Sequence, residues 1–301
     1  MAISRGQLVK ELEPGLNALF GLEYKRYENQ HAEIYTTESS DRAFEEEVML
    51  SGFAQAQTKS EGAGVVFDNA QETYTARYTH ETVALAFSIT EEAIEDNLYD
   101  RLASRYTKAL ARSMANTKQV KAVAPLINGL PTNDAFDSGD GVSLFNTAHP
   151  TIAGTVANTL TTQADLNETS LEQSLIDIAA MTDERGLKIA ARGVKMIVPS
   201  ELQFTAERLM KSQGRVGTAD NDINAIVSMG MVPQGYRVNN FLTDPNAFFL
   251  ITDVPNGMKH FVRTPIKTAM EGDFDTGNLR FKARERYQFG VSDFRGIFGS
   301  P

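Results

Sequence analysis

Histidine, serine and clustered carboxylates are the residues through which this chain could do chemistry, and their spacing matches no catalytic motif. The four histidines, His31, His80, His149 and His260, lie far apart, and none has a second histidine or a carboxylate at the spacing of a metal-binding motif. No serine lies in a Gly-x-Ser-x-Gly elbow, and no Gly-Lys-Ser/Thr phosphate loop is present. The sequence therefore predicts no catalytic or cofactor-binding residue and predicts that the protein is not an enzyme.

One glycine-rich loop has the acidic composition of a cation site. Asp134, Asp137 and Asp140 lie in it, but their spacing differs from that of an EF-hand and no glutamate follows at the twelfth position. An Asx-rich turn accounts for the same residues. The chain has no cysteine, so thiolate metal sites and disulfides are excluded as well. No metal site is predicted.

The bulk composition limits the class of protein. The chain has 301 residues, of which 42% are apolar and 23% charged, enough for a substantial core in one to three domains. No apolar run approaches the roughly 20 residues of a membrane span, and the N-terminus lacks a signal-peptide core, which favours synthesis in the cytoplasm and no membrane partner. The net charge of −10 argues against tight wrapping of nucleic acid and leaves loose contact open.

The element that must position the rest is a long helix predicted over residues 90–124. Thr90 is a plausible N-cap, and Pro125 is expected to end the helix. About 35 residues at 1.5 Å each would span roughly 50 Å. Apolar and small residues at three- and four-residue spacing predict one buried stripe, made of Ile94, Leu98, Leu102, Tyr106, Ala109, Leu110, Ser113, Thr117 and Val120.

The charges of this helix are separated along its length. Acids gather early, at Glu91, Glu92 and Glu95, and bases gather late. No acid has a base three or four residues further on, although such pairs stabilise helices that stand alone in water. The pattern predicts pairing with other segments or other subunits, and a simply solvated face is the alternative.

Two apolar segments before the helix require a surface to pack on. Residues 1–30 contain Leu12, Leu16 and Phe20 and are predicted to form two short amphipathic turns broken at Pro14-Gly15. Residues 31–89 read as a long hairpin with a flexible glycine-bearing centre at 52–64, followed by a uniformly buried strand at 83–89. A projecting hairpin cannot bury a core alone, so a partner surface is implied.

The second half of the chain has α/β character and ends in β-structure. Leu144 and Phe145 are expected to anchor the loops at 128–167. Capping boxes at Thr169/Glu172 and Ser200/Gln203 predict two helices, the first ending near Arg185. Strands are predicted at 194–198, 236–242, 247–252, 259–262 and 279–289. In the last strand, apolar residues alternate with a basic face of Arg280, Lys282, Arg284 and Arg286, for which a protein partner is favoured over phosphate.

The order of these elements resembles that of tailed-bacteriophage major capsid proteins of the Hong-Kong-97-type fold, including Mu-type head subunits. Three stretches carry the resemblance: ITEEAIEDNLYDRL at the start of the spine helix, LFNTAHP after it, and GVKMIVPSELQFTAERLM in the axial domain. The implied fold is α+β. Its segments would be the N-terminal arm (1–30), the E-loop hairpin and flanking strands (31–85), the spine helix and peripheral domain with a loop region (86–167), the α/β axial domain (168–262), and C-terminal strands returning to the peripheral β-sheet (263–301).

The resemblance implies a structural function in the virion. Copies would form pentamers and hexamers that tile an icosahedral shell around double-stranded DNA, with the arm and the E-loop lying across neighbouring subunits. The subunit would be made in the host cytoplasm. Its implied partners are itself, a portal at one vertex, a decoration or cement protein where the particle has one, and DNA through loose non-specific contact. The candidate inter-subunit residues are Leu12, Leu16, Phe20, Lys59, Val65, Phe67, Glu91, Glu92, Glu95, Arg280, Lys282, Arg284 and Arg286.

Two departures from the family bear on assembly. The long charged coiled coil that precedes the arm in some relatives is absent before Met1, which predicts a separate scaffolding protein and no cleavage of this chain. Some relatives cross-link a hairpin lysine to a neighbour's asparagine, and Lys59 lies at the hairpin tip. An ordinary exposed lysine is the favoured interpretation. The alternatives to a phage shell are an encapsulin-like compartment and, less favoured, a cytoplasmic α/β enzyme or binding protein.

Overall fold

The structure of the protein is a computed structural model that describes residues 5–95, 99–129, 138–215, 222–273 and 275–300. Its helices are α1 (Arg5–Arg26), α2 (Glu91–Glu95), α3 (Tyr99–Asn128), α4 (Glu168–Ala180), α5 (Gln203–Lys211) and α6 (Ala225–Met229). Its strands are β1 (Thr36–Ser39), β2 (Phe44–Leu50), β3 (Glu72–Thr79), β4 (Glu81–Ile89), β5 (His149–Thr151), β6 (Gly154–Val156), β7 (Gly193–Val198), β8 (Tyr236–Val238), β9 (Phe248–Thr252), β10 (Met258–Gly272), β11 (Leu279–Val291) and β12 (Ile297–Ser300). Runs of consecutive strands, β1–β4 and β8–β11, are separated by helices, as the α+β prediction requires.

The peripheral sheet has four strands in the order β1-β10-β11-β4. β1 runs parallel to β10, and the other neighbouring pairs are antiparallel. The predicted union of the strand before the spine helix with the C-terminal strands is therefore confirmed. The predicted alternation of β11 is confirmed too, because its apolar residues are buried and its basic residues Arg280, Lys282 and Arg284 are exposed.

Helices α1 and α3 pack together over the buried face of this sheet. Leu16 and Phe20 are buried there, and the rings of Phe20 and Phe281 lie 6.4 Å apart. The prediction of two short turns broken at Pro14 was wrong, since one helix runs through that residue. Burial of the residues after Pro14 against the sheet offsets the hydrogen bond that proline removes from the helix.

The spine extends further at its end than predicted. α3 continues past Pro125 to Asn128, so the prediction that Pro125 ends the helix was wrong. Pro125 lies in the last turn, where it removes a single hydrogen bond. Leu126, next in the chain, is buried in the same apolar cluster as Leu144 and Phe145, which holds that turn in place. Leu144 and Phe145 are thus confirmed as anchors.

The buried stripe of α3 also differs from the predicted one. Tyr106 and Val120 are about half exposed, and Ala109 and Ser113 are exposed. The stripe that meets the sheet consists of Ala103, Thr107, Leu110, Ala111, Met114, Ala115, Ala122 and Val123. Most of these side chains are small, so the helix can pack closely against the sheet. Burial on α3 therefore follows its small residues and not its largest apolar ones. Ile94, Leu98 and Leu102 lie outside the residues whose side chains are described.

The predicted hairpin is present as β2 and β3, an antiparallel pair in which Phe44 is opposite Thr79. Ala76 and Tyr78 are buried on one face of β3, and His80, which follows the strand, is buried as well. Residues 53–72, which join the two strands, are exposed throughout. The strand that follows was predicted to be uniformly buried, and this was wrong. β4 is an edge strand with Leu85 46% exposed, because α3 covers only part of its inner face.

The axial sheet has the order β12-β9-β7-β8 and packs against α4, α5 and α6 around a second core. β12, at 297–300, belongs to this sheet, so the expectation that all of 263–301 returns to the peripheral sheet is corrected. β10 begins at Met258, and its first residues already pair with β1. The two sheets are therefore joined twice by the chain near residues 252–258 and 291–297.

Three of the sequence-based predictions for the axial region differ from the structure. α4 is capped by Asn167 and Ser170 in place of the predicted Thr169 and Glu172, and it ends at Ala180. Ser200 begins a short 3-10 helix without capping α5. The strand at 236–242 is confined to β8, since Asn239 folds the following residues into a turn through its side chain and Phe241 N–H. The strand at 194–198 is confirmed by β7.

Candidate functional site

The outer face of the peripheral sheet carries a basic stripe over a floor of small residues. Antiparallel register places Arg284 opposite Ala84 and Lys267, and it places Lys282 opposite Ala86 and Ala269. Directly opposite residues share a face of the sheet, so these side chains all lie on the exposed side. Because the neighbouring side chains are mostly alanine, the basic groups project beyond them into solvent.

The stripe is not uniformly free. Arg280 donates to the Asp273 carboxylate at 2.5 Å, and Glu271 lies opposite Arg280 on the same face. Arg286 is half-buried, and its Nε has no hydrogen-bond partner among the described residues. Of the four predicted basic candidates, the structure therefore leaves Lys282 and Arg284 as exposed cations on this face. Two carboxylates at one end make the surface mixed in charge.

The connection between β2 and β3 presents apolar side chains to solvent. Phe67 is 94% exposed and Val65 67%, and Val66 and Phe53 are similarly exposed. Lys59 is exposed on the same connection. The Asp68 carboxylate accepts from Ala54 N–H at 2.7 Å and from Asn69 N–H at 2.9 Å. These backbone hydrogen bonds lower the pKa of Asp68 and keep its charge at the base of the apolar run.

The hairpin is attached firmly to the body at its base. The Lys259 ammonium binds the carboxylates of Glu47 on β2 and of Glu38 on β1. Burial alone would lower the pKa of Lys259, but the hydrogen bonds to these two carboxylates raise it. Ser292 bonds both Tyr78 and Glu47, and the Tyr78 ring lies over Gly290, where any Cβ would be 2.5 Å from it. The arm therefore has a fixed direction.

Further along, the hairpin touches the body at two more places. Backbone atoms of Thr75 lie against Gly139, whose positive φ and close approach exclude a side chain. Arg185 donates to the Asn69 carbonyl at 2.7 Å. Beyond Asn69 the segment 53–67 makes no contact that buries it. Only the tip of the arm is left for another molecule.

The spine charges find partners on other elements of the same chain. Lys118 lies 3.4 Å from the buried Glu285 on β11, and Lys121 pairs with Glu81 on β4. Burial raises the pKa of Glu285 although Lys118 opposes this. The prediction that these charges pair with other segments is confirmed for both lysines. Arg105, Lys108 and Arg112 are exposed, and no ion pair joins them to the described part of the chain.

The remaining candidates divide between buried and undescribed positions. Ala93 N–H donates to Thr90 Oγ1, which confirms the predicted cap. Glu92 is exposed and Glu91 half-buried. Leu16 and Phe20 are covered by their own chain, so we no longer expect them to contact a neighbour. The side chains of Leu12 and Glu95 lie outside the described residues.

Sequence reasoning missed a buried His149–Asp140 pair, with Nδ1 2.5 Å from Oδ2. His149 Nε2 lies 3.0 Å from Asn158 Oδ1, and its ring stacks on Phe294 at 3.8 Å. Burial raises the pKa of Asp140, but the hydrogen bond and charge of His149, with hydrogen bonds from Ser138 and from Val142 N–H, together outweigh burial and lower it. Both imidazole nitrogens are engaged, so neither is available as a general base. Asp134 and Asp137, from the same predicted loop, lie outside the described residues.

A second unpredicted cluster packs His31 against His260 with ring centroids 5.3 Å apart. Gln119 Oε1 accepts from the backbone N–H of His31, and Gln119 Nε2 lies 2.9 Å from His31 Nδ1. These two contacts tie the segment before β1 to the spine helix. Burial, with the nearby Lys118 charge, lowers the pKa of His31 to about 4 and that of His260 to about 3. His31 and His260 are 229 positions apart in the sequence, so no local pattern could predict their contact.

Nothing in the described part of the chain assembles a reaction centre. No group of three or more histidine and carboxylate residues there is placed to hold a metal ion. Among the described helices, none is both long and apolar enough to cross a membrane. The titratable clusters are buried and internally bonded, whereas the exposed features are an apolar arm tip, an unpaired strand edge and a basic stripe. These are properties of a surface that meets other proteins.

The sequence matches a family model described as phage capsid protein over residues 73–299. A search of the curated proteins finds no match. The fold is similar to that of the virus-like particle from Pyrococcus furiosus, with 10% identity, coverage of 95% of this chain and 98% of that chain, and a TM-score of 0.51.

Two further solved structures share the fold. The capsid of an empty GTA particle is 13% identical, covers 89% of this chain and 87% of its own, and gives a TM-score of 0.54. The capsid of Myoviridae phage XM1 is 11% identical, with 88% of each chain covered and a TM-score of 0.50. At these identities the likeness speaks to the fold, and the fold is of the Hong-Kong-97 type.

Proposed function

The chain belongs to the phage capsid protein family, and we propose that it builds an icosahedral head shell from pentamers and hexamers around double-stranded DNA. It is a structural shell protein of the virion that assembles with copies of itself. We propose as well that the subunit is made in the host cytoplasm.

The observation that carries the proposal is the exposed arm tip on a rigid base. Val65, Val66 and Phe67 are largely solvent-exposed in the single chain, although burying each such side chain contributes about 1.5–3 kcal/mol. The base is held by Lys259, Ser292 and Gly290, so the tip cannot collapse onto its own body without breaking these contacts. A neighbouring subunit is the surface that such an arm requires.

We propose further contacts within and around the capsomer. We place the axial region, residues 168–262, at the capsomer centre and the first 30 residues at its edge, with a separate scaffolding protein directing assembly. A portal at one vertex and, where the particle has one, a cement protein complete the partners. DNA contact is expected to be loose, because Lys282 and Arg284 share their face with Glu271 and Asp273.

An encapsulin-like compartment has the same fold, and the fold alone does not separate the two. The family match is to phage capsid proteins, which favours the phage shell. Cargo decides between them: a compartment encloses an enzyme, whereas a head encloses DNA.

Negative-stain microscopy of the purified protein, expressed alone and with its neighbouring genes, tests the proposal. Closed shells of uniform size are expected, and nuclease-protected DNA is expected in particles from phage-infected cells. A uniform population of small particles under both expression conditions would refute the shell function. Shells that contain an enzyme and no DNA would refute the phage-head proposal in favour of the compartment.

A further inference from the structure

The peripheral sheet ends in an unprotected edge. β4 pairs with β11 on one side, and no strand pairs with its other side in the described part of the chain. It is nine residues long, carries no charge after Glu81, and contains no proline or bulge. Natural edge strands usually carry one of these features to block pairing with another chain. Apart from the charge of Glu81 at its first residue, β4 has none of these features, so its free edge is open to pairing with another strand.

The same chain carries an extended segment that lacks a partner. Residues 64–68 (GVVFD) form no element and make no backbone hydrogen bond to the described residues. Two β-branched residues and a phenylalanine give the segment a high preference for a strand. Phe67 is 94% exposed, and the segment pairs with no strand of its own molecule; its Asp68 carboxylate accepts hydrogen bonds from Ala54 N–H and Asn69 N–H.

We propose that residues 64–68 of one copy add to the free edge of β4 of a neighbouring copy as a fifth strand of the peripheral sheet. This inference rests on the shell function proposed above and names the docking site of the arm within it. Strand addition satisfies the backbone groups of both edges, and the alternating side chains fix which face each residue occupies.

Charge complementarity determines which face of the peripheral sheet each side chain of the added strand occupies. Its side chains alternate, with Val65 and Phe67 on one face and Val66 and Asp68 on the other. The outer face of β4 shows Ala84 and Ala86 beside the cations Lys282 and Arg284, so Asp68 belongs there. Val65 and Phe67 then lie on the inner face, where they cover Leu85, which is 46% exposed in the single chain.

The occupant is a second copy because the segment cannot reach its own edge. Residues 69–80 separate the segment from β4, and the eight of them that form β3 span about 26 Å when extended. The hydrogen bond from Arg185 to Asn69, and the contact of Tyr78 with Ser292, hold the arm against residues outside β4. A nucleic acid is a poorer occupant of this edge, since β4 offers no cation and the chain carries a net charge of −10.

Engineered disulfides test the register directly, because the natural chain has no cysteine. The double variants V66C/A84C and V66C/A86C place thiols at positions that face each other across the proposed strand pair. Oxidised particles of at least one of them should run as ladders of multimers on a non-reducing denaturing gel. The matched control is V66C/Q173C, whose second thiol is exposed on α4 and should give no ladder.

Mixed particles allow the same test if a double variant fails to assemble by itself. Subunits with V66C alone, co-assembled with subunits carrying A84C or A86C alone and with unmodified chain, should give cross-linked dimers and no larger species. Particles that form normally without any β4 cross-link, or with equal cross-linking to Gln173→Cys, would overturn the strand addition and leave the shell function intact. If the unmodified protein forms no particles, both proposals fail together.

Discussion

Two buried histidines between the spine and the peripheral sheet show how single residues set the stability of this subunit. His260 stacks on Phe289 at 4.2 Å and meets the edge of His31, with Lys118 nearby. The Tyr287 ring also meets His260 at 5.8 Å, and Thr37 Oγ1 lies 3.2 Å from His260 Nδ1. Protonation would add positive charge where water is excluded and where a lysine is already present.

The subunit should therefore lose stability below about pH 6.5. Both histidines have a folded pKa, about 4 and about 3, below the unfolded value of 6.5, so the unfolded chain binds more protons across this range. Each contributes a slope of up to about 1.4 kcal/mol per pH unit to the free energy of unfolding. Urea denaturation of unassembled subunits at several pH values between 7 and 4.5 measures it. His260→Phe keeps an aromatic ring and should flatten the slope, and an unchanged slope would contradict this account.

Lys259 is a second residue whose removal has a defined cost. Lys259→Met keeps most of the buried stem but leaves Glu47 and Glu38 without their cation. We expect a loss of about 1–3 kcal/mol in the free energy of unfolding, the range for stranding partly buried charged partners. Lys211→Met is the matched control, because its pair with Glu207 is exposed on both sides and should change stability little. Equal losses in the two variants would argue against the anchoring role.

At the scale of elements, local patterns foretold some parts of the fold and failed at others for identifiable reasons. The alternation of β11 was readable because one face is buried and the other is wet. Pro125 misled because the burial of Leu126 keeps the last turn of α3, and β4 misled because it is an edge strand whose inner face α3 covers only in part. The His149–Asp140 and His31–His260 contacts arise from tertiary packing, which no spacing in the sequence records.

The seat of the hairpin on β11 gives a prediction at this scale. Gly290→Ala would place a Cβ 2.5 Å from the Tyr78 ring, so the ring must move away from the sheet. Overpacking of this kind costs about 1–3 kcal/mol. Gly272→Ala, at the far end of β10, meets nothing within 4 Å and is the matched control. Thermal denaturation followed by circular dichroism should show the difference, and two identical midpoints would contradict the close packing.

For the whole molecule, folding and assembly draw on different residues. The two cores and the buried ion pairs lie within the subunit, whereas Val65, Phe67, Lys282 and Arg284 contribute little to it. Of the candidates chosen from the sequence, those in the arm tip are exposed, as are Arg280, Lys282 and Arg284 of the basic stripe, whereas Leu16 and Phe20 of α1 are buried. Hydrophobicity alone could not separate these two groups, because burial by the same chain or by a neighbour requires the same residue types.

Changing the arm tip should accordingly harm assembly and spare folding. Phe67→Ser should leave the subunit's denaturation midpoint unchanged, since the ring is 94% exposed, while lowering the yield of shells severalfold. Phe67→Leu retains an apolar side chain and should restore most of that yield. Sucrose-gradient sedimentation, with denaturation of the unassembled fraction, measures both properties. A full yield of shells from Phe67→Ser would show that the tip is dispensable.

The fixed base of the hairpin has a mechanical consequence. Ser292, which holds Tyr78 and Glu47, lies where the chain leaves β11 of one sheet and turns toward β12 of the other. Any load that a neighbour applies at the tip is therefore delivered at the junction of the two sheets. We expect the arm to act as a lever with its fulcrum at Ser292, so that a change in shell curvature is felt as a change in the angle between the sheets.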